Sequence, residues 1–122
     1  AKNDKKIAMI YWPMFIKKMK EFNEEANILF NKVMKSNVLL IDDIDAETTT
    51  SWSRDEILAT LLQYRMEEHL PTFFTSNLKI EELETHLSMT RDATDKVKAR
   101  RIIERIKQLT ESMELVSVNR RG

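Results

Sequence analysis

The chain has 122 residues, enough for one domain around one modest core. Lys+Arg and Asp+Glu each total 20, so the net charge is zero and argues for neither a nucleic-acid binder nor an acidic decoy. There is no cysteine, which excludes disulfides and thiolate metal sites and agrees with a cytoplasmic protein, and the single glycine excludes a Gly-rich phosphate loop within these residues.

Residues 2–6 form a charged lead-in, and the apolar run 7–12 (IAMIYW) reads as a buried strand. Pro13 follows at a natural first helical position. Phe15, Ile16 and Met19 recur at helical spacing, and Ala26, Leu29, Phe30 and Val33 continue the rhythm in a second helix that Ser36-Asn37 breaks. Residues 38–41 (VLLI) are a second continuous apolar run, closed by Asp42-Asp43. Such runs mark strands covered by helices on both faces.

After the polar linker 48–51, Ser53 with Glu56 fits a capping box. Ile57, Leu58, Leu61, Leu62 and Met66 then make one apolar stripe, predicting a helix over 53–68. Residues 72–75 (TFFT) are a short β-prone run that closes on Ser76-Asn77. Ile80, Leu83 and Leu87 mark a brief, poorly capped helix, and 88–95 is a polar loop. A helix over 95–109 turns Ala99, Ile102, Ile103 and Ile106 inward, a last strand spans 113–118, and 119–122 is a basic tail. No apolar run approaches the roughly 20 residues of a membrane span, and no signal peptide is visible. Strands alternating with helices predict an α/β chain whose parallel sheet is sandwiched between helices.

Three groups could carry chemistry. Asp42 and Asp43 end a strand at the rim where open α/β sheets place ligands. One carboxylate there would hold Mg²⁺ and the other would orient an attacking water, the alternative being a buried strand that ends in an Asp-rich turn. The segment resembles the Walker B strand of nucleotide-binding ATPases. The second acidic position of such motifs is more often Glu, so Asp43 is one methylene short, which implies slow hydrolysis. Glu47 is a substitute base or a solvated loop acid. Asn77, just past a strand, either polarises a phosphate or forms a turn. Lys98, Arg101 and Arg105 share one helix stripe, which is either a solvated face or a clamp for an anion. His69 and His86 read as surface or rim residues, and Trp12, Trp52, Phe73 and Phe74 as core packing.

Taken together, VLLIDDIDAE (38–47), SWSRDEILATLLQYRM (51–66), PTFFTSNL (71–78) and KARRIIERI (98–106) resemble the bacterial helicase loaders, the DnaI/DnaC-type AAA+ ATPases, and most of all their DnaI branch. The resemblance implies an AAA+ P-loop NTPase-type parallel sheet flanked by helices, with ATP and Mg²⁺ as cofactors. It makes Asp42 the magnesium carboxylate, Asp43 the catalytic acidic position and Asn77 the sensor 1 residue. Arg105 would be the arginine finger that reaches a neighbouring copy in a homo-oligomer, with Arg101 a weaker candidate. The implied partners are the replicative DNA helicase, loaded at an origin or a restarted fork, and single-stranded DNA. The family's Walker A loop and its strand are absent, so the 122 residues are expected to be the C-terminal part of a single AAA+ domain, with a gap beside the strand that ends near Asn77. By themselves they are expected to bind ATP poorly. The other readings are a non-enzymatic interaction module on a degenerate nucleotide fold and an IstB-type transposition helper ATPase, against which the SWSRDE and PTFFTSNL strings count.

Overall fold

The computed structural model describes residues 7–46, 49–89 and 95–111. The expected lead-in, Glu47, the centre of the polar loop, the last strand and the basic tail lie outside the described residues.

Strands β1 (Ile7–Tyr11), β2 (Val38–Asp42) and β3 (Thr72–Phe74) form a parallel sheet in the order β1-β2-β3. Ile10 sits beside Ile41, and Ile41 beside Phe74. Each strand is laid next to the one before, always in the same direction. Connections that step in one direction and share one hand carry their helices to one face of a sheet.

Burial along the strands follows that geometry. Leu39, Ile41 and Thr72 are fully buried and Ile10 nearly so, while Ala8 and Phe74 pack against the core. The alternate residues face the other way: Ile7 is 75% exposed and Met9 69%, and Val38, Leu40 and Phe73 are half-buried. The expectation of a sheet buried on both faces is therefore corrected for the described residues. A continuous apolar run shows that both faces of a strand are apolar, not that both are covered.

Helix α1 (Trp12–Met19) carries Pro13 in its first turn and buries Trp12, Phe15, Ile16 and Met19. Helix α2 (Glu24–Met34) is capped by Asn23, whose side chain accepts from the Ala26 amide at 2.8 Å. The next helix is wound as a π-helix over Ser53–Leu58 and continues as α3 (Ala59–Glu67). Its cap differs from the expected Ser53–Glu56 pair. Thr50 Oγ1 accepts from the Ser53 amide at 3.0 Å, and Ser53 Oγ accepts from the Thr50 amide at 3.1 Å. The reciprocal box is thus set one turn earlier, with two hydroxyls in place of a hydroxyl and a carboxylate. Helix α4 (Ile80–Ser88) has a cap after all, since the Glu82 carboxylate accepts from the Lys79 amide at 2.9 Å. Helix α5 (Lys96–Glu111) is capped by Asp95, which accepts from the Lys98 amide at 3.0 Å, and buries the predicted stripe of Ala99, Ile102, Ile103 and Ile106.

All five helices contribute to a single core over the covered face of the sheet. Arg65, in the last turn of α3, runs through it without surfacing. Its guanidinium donates to the Met34, Ser36 and Pro71 carbonyls and to Thr72 Oγ1 at 2.7–3.0 Å, tying the end of α2 to the start of β3.

Candidate functional site at the carboxyl ends of β2 and β3

The acidic pair sits where β2 leaves the sheet. Asp42 is its last residue, and Asp43 turns the chain with φ 56°, in the left-handed region that Asp tolerates better than most residues. Thr75, just past β3, is bound to nearly every residue of this turn. Its amide donates to the Ile41 carbonyl at 3.0 Å, and its own carbonyl accepts from the Ile44 amide at 3.2 Å. Its hydroxyl accepts from the Asp43 amide at 2.8 Å and donates to Asp42 Oδ1. Two residues on, the Asn77 amide donates to Asp45 Oδ1 at 3.3 Å. The structure therefore brings Asp42, Asp43 and Asn77 to one rim, with Thr75 and Asp45 as the connecting residues.

Two features of this rim fit a ligand. Asn77 Oδ1 is buried and, among the described residues, accepts no hydrogen bond. A buried acceptor of that kind is costly unless a donor such as a bound water arrives. Asp42 and Asp43 are both half-buried acids at a strand end. No cluster of three or more metal-ligating side chains occurs among the described residues. The Asp42–Asp43 pair has the donor chemistry for Mg²⁺ held together with a nucleotide, because Mg²⁺ takes one or two protein carboxylates and completes its shell with water and phosphate oxygens.

The basic stripe of α5 forms a second cluster. Asp55 lies between two cations: Arg54 Nε donates to its Oδ1 at 2.7 Å, and Lys98 Nζ to its Oδ2 at 3.2 Å. Burial raises the Asp55 carboxyl, but the hydrogen bonds and charges of Arg54 and Lys98 outweigh it and hold the group below its usual value. Arg54 is itself buried and also donates to the Leu87 carbonyl at 3.0 Å. Arg105 is half-buried. Its Nε donates to Gln63 Oε1 on α3 at 2.7 Å, and an Nη to the Arg101 carbonyl at 3.4 Å. Arg101 is exposed. With Asp55, Ala59 and Ile102, the three cationic residues line a cavity of about 180 Å³. The side-chain bonds described for Lys98 and Arg105 thus run within their own chain, to Asp55, Gln63 and the Arg101 carbonyl.

Sequence reasoning passed over two features. Thr75 was assigned to the strand by its β-propensity, and only its place between a strand and Asn77 hinted at another role. Trp52 packs against the core from a half-buried position, as assigned, but also sets its ring 5.3 Å from that of Phe22. Phe22 is 72% exposed at φ 50°. His69 is exposed and His86 half-buried, as surface and rim residues should be.

No family model matches the chain. It is 40% identical over 116 residues to the replicative helicase loader DnaI of Bacillus subtilis strain 168, an alignment that takes in 93% of this chain and 37% of that protein. A crystal structure titled as that of DnaI superposes with a TM-score of 0.75 at 38% identity, over 90% of this chain and 55% of that one. The chain thus spans little more than a third of the curated relative's length. Over about nine-tenths of its residues the chain is similar to DnaI in both sequence and fold.

Proposed function

We propose that these residues belong to a protein that loads a replicative helicase in DNA replication, with Mg-ATP at the β2–β3 rim as its switch. The observation that carries this reading is the meeting of Asp42, Asp43 and Asn77 at one rim, in a chain 40% identical to a protein named for helicase loading. In this reading the fold is of the AAA+ type and β2 is its Walker B strand. Asp42 holds Mg²⁺, whose contribution is to neutralise and orient the phosphate oxygens. Asp43 orients a water, and its short side chain makes hydrolysis slow. Asn77 offers its amide to the phosphate or to that water. The loop that cradles the phosphates is supplied by sequence other than these residues, whose only glycine is Gly122.

Arg105 serves a neighbouring copy's nucleotide after exchanging Gln63 for phosphate, with Arg101 beside it. Single-stranded DNA is the second partner, and the protein works in the cytoplasm. Among the described residues no helix is long and apolar enough to cross a membrane. The hold of Gln63 on Arg105 favours a second reading, a docking module that never hydrolyses ATP.

The test is nucleotide binding by the full protein with and without Mg²⁺. Tight binding that needs Mg²⁺ and is lost in Asp42→Asn supports the switch. No binding under saturating Mg²⁺ removes it and leaves the docking module.

A further inference from the structure

The acidic pair does not hold its own position. Asp43 stands in a left-handed conformation at φ 56°, a region that even Asp enters only occasionally. A turn of that kind persists only where the surroundings over-determine it. Thr75, just past the neighbouring strand, is prominent among those surroundings.

We propose that Thr75 is the positioning residue of the site: its hydroxyl holds the Asp42 carboxylate and the Asp43 turn in the arrangement that receives the divalent cation. The inference rests on the Mg-ATP reading and names a residue that reading leaves out. The geometry gives the hydroxyl a fixed direction. Thr75 is 7% exposed, so bulk water does not compete for it. Its oxygen accepts from the Asp43 amide at 2.8 Å, and its proton goes to Asp42 Oδ1. The two bonds run as a chain, amide to hydroxyl to carboxylate, in which each strengthens the next. The Thr75 backbone bonds to Ile41 and Ile44 lock the oxygen in register with the turn. β-Branching further restricts the rotamer that aims it. A neutral partner that orients a metal-binding carboxylate without touching the metal is a recurrent device, and losing one typically costs about 10- to 100-fold in metal affinity.

Thr75→Val removes the hydroxyl at nearly constant shape, and Thr75→Ser keeps it. Two measurements on the full protein separate positioning from folding and from the nucleotide reading. The first is the Mg²⁺ concentration that half-saturates ATP binding. It should rise about 10- to 100-fold in Thr75→Val and stay close to wild type in Thr75→Ser. The second needs no nucleotide: Mn²⁺-induced broadening of the Asp42 and Asp43 amide signals, together with hydrogen exchange at the Asp43 amide. Thr75→Val should weaken the broadening and speed the exchange, and Thr75→Ser should do neither. If the wild type binds no ATP, the Mg-ATP reading falls and the Mn²⁺ comparison alone decides for or against Thr75. Equal metal affinity in all three proteins overturns the proposal. So does an equal loss in both variants that tracks a lowered melting temperature.

Discussion

Arg65 shows how much one side chain can organise without touching the rim. It is fully buried, and the partners described for its guanidinium are carbonyls and hydroxyls: Val33, Met34, Ser36 and Pro71 through their backbones, Ser36 and Thr72 through their side chains. Burial lowers its pKa to about 10, which still leaves it charged throughout the neutral range. The free carbonyls at the end of α2, where the helix dipole is negative, give that charge a favourable site. Arg65→Met should therefore lower unfolding stability by about 3 kcal/mol in urea titration, because the acceptors are left unpaired inside the protein. Arg65→Lys should recover little, since an ammonium cannot span the end of α2 and the start of β3 at once. The sequence did contain a signal for it. Arg65 stands seven residues after Leu58 on the stripe shared with Leu61 and Leu62, so a charge occupies a core position of the helix. Thr75 carried no such mark, because a threonine closing a β-prone run is what any strand shows.

Among the elements, the π-helical segment Ser53–Leu58 and α5 are joined through Asp55. Arg54 and Lys98 hold that carboxyl below 3.8, so the folded state binds its proton less readily than the unfolded chain. The resulting stabilisation is complete above the unfolded carboxyl value and is lost as pH falls through the lower folded one. Thermal melts of Asp55→Asn should thus be less stable than wild type at neutral pH, with the gap closing below pH 3.8. An unchanged gap at pH 2 would mean the carboxylate contributes by shape rather than by charge. Helix spacing made α1, α2 and α5 legible in the sequence, since each carries an apolar stripe with polar residues opposite. The capping pair of the π-helical segment was misassigned because Thr50, Ser53 and Glu56 offer two overlapping boxes, and only the fold selects between them. The rim residues Asp42, Asp43 and Asn77 were legible as an acidic strand end and an amide after the next strand. That Thr75 and Asp45 join them depends on strand register, which no local pattern encodes.

At the scale of the whole molecule, the parallel direction of the strands followed from their alternation with helices, and the structure agrees. The unpacked face did not follow, because residues 7–12 and 38–41 are apolar on both sides and sequence does not say what lies above each. Ile7, Met9, Val38, Leu40 and Phe73 make that face a greasy plane turned to the solvent. Its colloidal behaviour follows. Solutions of the 122-residue chain should scatter light as attractive particles, with a negative osmotic second virial coefficient, and Ile7→Lys with Met9→Lys should drive the coefficient upward. A positive coefficient for the unaltered chain would mean that something already shields the plane.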